Sequence, residues 1–176
     1  MLFFASVDFI RPGAALHIGT DQLAGLVIST IIVFTGMHPK RAPSAKSLFG
    51  VLLIIYLAGI LYMGLKPSGH SFKYSKEFLI TSSPPIFDFT INILGFIPFA
   101  HLSICYLSTA KRATHITISA LIALVSGIGI SLFIELVQYH IPGRTSSMMD
   151  LIANTAGTSI GVAYSLLEKK FEKIDK

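Results

Sequence analysis

Long apolar stretches alternate with short polar breaks along this chain. Four of them predict membrane-spanning helices, at about residues 48–65, 86–107, 115–139 and 151–167. Each is close to the roughly 20 apolar residues that a helix needs to cross the hydrocarbon core. A shorter apolar stretch, residues 23–37, predicts a further span. The pattern therefore predicts an all-α, polytopic transmembrane helix bundle with four core spans and an N-terminal fifth.

The polar breaks define the predicted domain organisation. Residues 1–46 form an N-terminal region with the short span, residues 48–167 form the transmembrane domain, and residues 168–176 form a charged cytoplasmic tail. Proline and glycine mark the breaks, as in the turn at Pro142 and Gly143, because neither residue continues a helix comfortably.

Composition supports a membrane protein and excludes several other classes. The 176 residues are 52% hydrophobic and 13% charged, whereas soluble domains have about 25% charged residues. A single cysteine, Cys105, excludes an intrachain disulfide framework. The net charge of +5 comes from short loops and the tail, so we predict a lipid bilayer as partner and no nucleic acid. No zinc or cofactor motif is present, so no metal or cofactor is predicted, and the oligomeric state stays open.

Lysine and arginine residues are unequally divided between the two membrane faces. With five spans, nine of the 14 lie on the face that carries the C-terminus, and five lie on the opposite face. An excess of Lys and Arg is typical of cytoplasmic loops. We therefore predict a multi-pass protein of the cytoplasmic (inner) membrane with its C-terminus in the cytoplasm.

Polar and small residues recur at helical spacing inside three of the predicted spans. The three stripes are Asp88, Asn92, Gly95 and Phe99; Gly127, Ser131, Glu135 and Gln138; and Asp150, Asn154, Gly157 and Gly161. Spacings of three and four residues put each set on one helix face. Ionisable groups cost about 2.5–3.5 kcal/mol each at the bilayer centre on insertion scales, so these stripes predict facing surfaces rather than contact with lipid.

The polar ends of the stripes are predicted to meet at one membrane face. Antiparallel threading brings two helix starts and one helix end to the same height, with Arg144 in the connecting turn. The candidate ligand-binding residues are Asp88, Asn92, Glu135, Gln138, Arg144, Asp150 and Asn154. By the charge count, this face is the outer one.

Structural interpretations of the same residues stay open. Asp88 and Asp150 suit helix N-termini, where a carboxylate complements the helix dipole. Glu135 and Arg144 could form an ion pair. The candidate helix-packing residues are Gly95, Pro98, Gly157 and Gly161. His101 lies in mid-span without an evident partner, which favours a buried core histidine over a ligand.

Two runs of sequence resemble a known family. FDFTINILGFIPF, followed by ELVQYHIPGRTSSMMDLIANTAGTSIG, resembles the VanZ-like family of bacterial membrane proteins, over roughly residues 48–167. The matching residues are Asp88, Asn92, Phe96, Pro98, Phe99, Glu135, Gln138, Arg144, Asp150, Asn154, Gly157 and Gly161. The chain departs from the pattern at Ala100, where the family often has glycine. The resemblance implies a four-helix membrane domain, in a family whose founding member is associated with low-level teicoplanin resistance, and it implies no particular reaction or resistance role.

Three functions are compatible with these residues. The leading hypothesis is a site that binds or processes a lipid-linked or cell-envelope ligand, with Arg144 contacting an anionic lipid head group. The second is a membrane enzyme in which Asp88, Glu135 and Asp150 provide acid–base or divalent-metal chemistry. The third is a structural or assembly role. Whether the protein is an enzyme stays open at this point.

Overall fold

The described part of the chain consists of two compact units. The computed structural model describes residues 7–11, 14–18, 43–67, 78–81, 86–109 and 115–174. The units are Met1–Met37 and His38–Lys176. The predicted first span, residues 23–37, lies outside the described residues.

The N-terminal unit contains a β-hairpin that the apolar pattern does not indicate. Strand β1, Val7–Arg11, pairs antiparallel with strand β2, Ala14–Ile18, in a register that runs from Val7 opposite Ile18 to Arg11 opposite Ala14. The sequence between the strands is Pro-Gly, two residue types that favour turns.

The described residues of the second unit form four long helices. They are α1, Pro43–Leu65; α2, Ile86–Ser108; α3, Ile116–Gln138; and α4, Met148–Ile174. Each coincides with a predicted core span, which confirms the prediction of an all-α membrane bundle. The largest boundary differences are an earlier start of α1 and the continuation of α4 through most of the charged tail.

Three of the four helices are long and apolar enough to cross a membrane. These segments are Lys46–Leu65, Ile86–Ser108 and Ile116–Gln138. Helix α4 is the longest of the four, but its apolar residues are interrupted by amide and hydroxyl side chains, and it ends in charged residues. Several of these polar side chains, among them Asn154, Thr158 and Ser165, are buried against the other helices. The span at residues 151–167 therefore stays a prediction.

Helices α2 and α4 run parallel and approach each other closely. A Cβ atom added at Gly157 would overlap the carbonyl oxygen of Ile93, and one added at Gly161 would overlap that of Ile97. From the first contact to the second, the contacting residue moves four positions forward on α4 and also four positions forward on α2. The two helices therefore run in the same direction. Small residues four apart allow such an approach in membrane helices, where packing replaces the hydrophobic effect.

Apolar packing joins α1 to this pair and to α3. Phe96, Phe99 and Ile134 form a buried cluster against which one face of α1 packs, including Leu57 and Leu61. The opposite face of α1 is exposed and apolar, as expected of a helix that faces lipid. The bundle therefore places α1 at its periphery and buries the polar stripe of α3.

Candidate functional site

The four helices bring their polar ends together at one end of the bundle. This polar end consists of the C-termini of α1 and α3 and the N-termini of α2 and α4. Hydrogen bonds join α3 to α1 and to the turn before α4, and Asn92 of α2 lies within hydrogen-bonding reach of Asp150 of α4. The seven candidate ligand-binding residues fall into two groups with different partners.

Glu135 holds the turn between α3 and α4. Its side chain is 1% exposed, and its Oε2 accepts a hydrogen bond from the backbone N–H of Ser147 at 2.6 Å. The hydroxyl of Ser146, also fully buried, lies within hydrogen-bonding reach of the same carboxylate. These contacts give Glu135 a positioning role.

Gln138 and Arg144 bind the C-terminus of α1. Nε2 of Gln138 donates to the carbonyl oxygen of Gly64 at 2.8 Å, while Nε and Nη2 of Arg144 donate to those of Lys66 and Met63 at 2.9 and 3.0 Å. The last carbonyl groups of a helix lack partners within it, and a cation there complements the dipole. Because α1 has no basic residue in its last turn, Arg144 provides that charge from another segment.

The charge of Arg144 also acts on the neighbouring carboxylates. Burial lowers the pKa of Arg144 from its ordinary value, while the nearby charges of Asp150 and Glu135 raise it. The guanidinium remains protonated because its ordinary pKa lies so far above neutrality. Arg144 therefore compensates negative charge at the polar end while two of its N–H groups bind α1.

Asp150 lacks the hydrogen-bond donor that a side chain in the first turn of a helix would normally find. Helix α4 begins after Ser147, whose Oγ accepts the backbone N–H of Asp150 at 3.3 Å. In a capping box, the third helical side chain bonds in return to the N–H of the capping residue. Here that N–H donates to Glu135 instead. Consequently Oδ1 of Asp150 is buried without a hydrogen-bond partner.

Three further polar side chains surround Asp150. Asn92 is half-buried and within hydrogen-bonding reach of it, whereas Asp88 is exposed and close enough to act on its charge. Asn154, one turn further along α4, is 4% exposed and donates through Nδ2 to Oγ of Ser131 at 2.9 Å. Its Oδ1 is buried without a partner. We call Asp88, Asn92, Asp150 and Asn154 the acceptor set.

Residues 78–81 form a short segment that crosses the turn between α3 and α4, beside Glu135. The sequence did not indicate this contact. The backbone N–H of Ile80 donates to the carbonyl oxygen of Ser146 at 2.8 Å, and that of Met148 donates to the carbonyl of Ile80 at 3.1 Å. Leu79 has a φ of 55°, a left-handed conformation that is rare for leucine. The sequence gives no periodic signal here, because the pairing involves so few residues.

The predicted packing residues differ in how they pack. Gly157 and Gly161 make the close contacts with α2 described above, and Pro98 is fully buried inside α2. A Cβ added at Gly95 would meet nothing within 4 Å, and this residue instead accepts the Tyr56 hydroxyl on its carbonyl oxygen at 2.9 Å. Gly95 therefore contacts α1 through its backbone carbonyl oxygen, and its missing side chain does not serve a close approach of two helices.

His101 has a partner that sequence reasoning missed. At the opposite end of the α2–α4 pair, its Nδ1 lies 2.9 Å from Oγ of Ser165, and its Nε2 lies 3.5 Å from Sγ of Cys105. Oε2 of Glu168 lies 3.9 Å from the same Nδ1. Ser165 continues the four-residue spacing of Gly157 and Gly161, and that spacing was the available signal.

The arrangement of acidic groups bears on metal binding. Within the described residues, no three side chains of the His, Cys, Asp and Glu types lie close enough together to hold a metal ion. Glu135 is committed to the turn, which leaves Asp88 and Asp150 as the carboxylate pair of the acceptor set.

Together, the bundle and its buried polar end define a polytopic α-helical membrane protein. The model of the VanZ/LLP1 family matches residues 26–168, which is most of the chain. The chain belongs to this family, and the resemblance found in the sequence is confirmed. The match starts well before residue 48 and so extends into the N-terminal region. Comparison with curated proteins and with solved structures gave no significant match.

Proposed function

We propose that this protein binds the polar head of a lipid-linked or cell-envelope ligand at the polar end of its bundle. The observation that carries the proposal is the pair of buried, unpartnered oxygens, Oδ1 of Asp150 and Oδ1 of Asn154. A buried acceptor without a donor costs about 1–3 kcal/mol. A ligand that brings donors to these atoms would recover part of that cost on binding.

The two groups of candidate residues support different roles. Glu135, Gln138 and Arg144 hold the turn and the end of α1, so they shape the site. The acceptor set lies at the starts of α2 and α4, and its oxygens are not all used by the protein. This division favours ligand contact by the acceptor set over direct contact between Arg144 and an anionic head group, although an anionic part of the ligand could still lie near the guanidinium.

Exposed apolar residues lie at the same depth in the bundle as the acceptor set, on other faces of α2 and α4, and this depth supports access from the bilayer. Ile86, two residues before Asp88, is 86% exposed, and Ile152, two residues after Asp150, is 46% exposed. A ligand whose head reaches the carboxylates would therefore have its hydrocarbon chain at the depth of the surrounding lipid. From the distribution of Lys and Arg, we place the site at the outer face of the cytoplasmic membrane and the C-terminus inside.

Lipid co-purification tests the proposal. Asp150→Asn keeps the shape of the side chain and removes its charge, while Ser159→Ala changes an exposed hydroxyl on the same helix. Native mass spectrometry of the purified proteins should show a lipid or envelope precursor on the wild type and on Ser159→Ala, and less of it on Asp150→Asn. Identical bound species on all three proteins would contradict the proposal.

The two alternatives predict different behaviour of the same variant. An acid–base enzyme remains compatible with Asp88 and Asp150, which lie close enough to interact. A purely structural role predicts that Asp150→Asn loses stability and function together. A variant that folds and inserts normally but no longer binds the ligand would argue against the structural role.

A further inference from the structure

The acceptor set has an excess of negative charge and of hydrogen-bond acceptors. Asp88 and Asp150 contribute two carboxylates, and the amide of Asn92 donates toward Asp150. Oδ1 of Asp150 and Oδ1 of Asn154 remain buried without donors. The charge of Arg144 lies near Asp150, but two of its N–H groups bind the carbonyl oxygens of Met63, in the last turn of α1, and of Lys66, just after it. The group that completes this site should therefore be positively charged and rich in N–H donors.

We infer that the group is a primary ammonium ion on a lipid head group. The inference rests on the proposed binding function and names the chemistry of the ligand. Asp150 and Asn154 are four residues apart on one helix, so their side chains are neighbours, with Cβ atoms about 5–6 Å apart. An ammonium ion has three N–H donors, enough to contact both unpartnered oxygens and the carboxylate of Asp88.

Other head-group chemistries fit these atoms less well. A phosphate would bring acceptors and negative charge against carboxylates that already interact with each other. A quaternary ammonium has the right charge but no N–H to donate. A hydroxyl group supplies one donor and leaves the negative charge uncompensated. A phosphate linked to the ammonium, as in a zwitterionic head group, could lie beside the positive charge of Arg144.

The surroundings of the set favour a lipid over a soluble amine. Exposed Ile86 and Ile152 lie within half a helical turn of the two carboxylates along α2 and α4, on other faces of these helices, so the site is at the same depth as a lipid-facing apolar surface. Because the ammonium is the shared chemistry of both sources, the test includes each of them.

The test measures thermal unfolding of the purified chain in phosphatidylcholine nanodiscs. Phosphatidylethanolamine supplies a primary ammonium, phosphatidylglycerol supplies hydroxyls and a negative charge, and dissolved ethanolamine supplies the amine without a lipid. We expect phosphatidylethanolamine to raise the unfolding temperature of the wild type and of Ser159→Ala above that in phosphatidylcholine alone. In Asp150→Asn, its apparent dissociation constant should rise about tenfold or more, as expected for the loss of a hydrogen bond to a charged group.

Each outcome decides between the inference and the proposed function. If phosphatidylglycerol stabilises the protein through Asp150 and phosphatidylethanolamine does not, the ammonium inference is overturned while ligand binding stands. If no added component stabilises the wild type and no lipid co-purifies, both fail. If dissolved ethanolamine raises the unfolding temperature as much as phosphatidylethanolamine does, the inference that the ammonium belongs to a lipid is overturned. Should Asp150→Asn fail to fold, Asp88→Asn replaces it, because Asp88 is exposed and its loss should still weaken phosphatidylethanolamine binding.

Discussion

A single methyl group placed between α2 and α4 should separate the two helices on which the acceptor set lies. In Gly157→Ala, the new Cβ would overlap the carbonyl oxygen of Ile93. That atom belongs to the backbone of α2, so no side-chain rotation can relieve the contact. Gly129→Ala is the matched control, because a Cβ there meets nothing within 4 Å.

The difference between the two variants isolates the packing cost. Both replace a helical glycine by alanine and so gain the same intrinsic propensity, about 1 kcal/mol. Overpacking typically costs about 1–3 kcal/mol, and 1 kcal/mol shifts the unfolding temperature of a chain of this size by roughly 2–4 °C. Gly157→Ala should therefore unfold about 2–12 °C below Gly129→Ala in the same detergent. Equal stability of Gly157→Ala and the control would show that α2 and α4 can separate without cost at this contact.

The close α2–α4 contact should also affect the site. Asn92 lies on α2 and Asp150 on α4, so a wider spacing changes their hydrogen bond. Lipid retention should fall in Gly157→Ala and stay unchanged in Gly129→Ala. A destabilised Gly157→Ala protein that retains lipid normally would show that the site tolerates movement of these helices.

Three further predictions follow from the contacts. Arg144→Lys should destabilise the protein by about 1.5–3 kcal/mol in thermal unfolding, because a single ammonium does not reproduce the two bonds of the guanidinium to the end of α1; unchanged stability would contradict this role. His101→Leu should lower stability by about 1 kcal/mol or more, by leaving Ser165 without the ring nitrogen, and Ser165→Ala in that background should then add little. Cysteines at exposed Thr145 and exposed His115 test topology: an impermeant maleimide should label the first in intact cells and the second only after the cells are opened, and the reverse pattern would place the site in the cytoplasm.

The sequence by itself was sufficient to predict the fold class. Lipid requires long apolar helices, so hydrophobic length alone located α1, α2 and α3 to within a few residues. Helical spacing likewise identified the buried stripe of Gly127, Ser131, Glu135 and Gln138, because spacing is a local property of the chain. Antiparallel threading then brought the candidate residues to one end without further information.

Only the tertiary structure decided which of those residues have partners. Gln138 bonds to Gly64, a residue 74 positions away, and the N–H of Ser147 goes to Glu135 rather than to Asp150. The sequence is compatible with Asp150 serving only as a cap of its own helix, and nothing local reveals that Glu135 accepts the N–H of Ser147. Hydrogen-bond partners depend on where distant backbone groups arrive in the folded bundle, whereas hydrophobic periodicity depends only on the segment itself. The sequence could therefore identify the polar residues, but only the packed helices separate those that hold the bundle from those with oxygens left to bind something else.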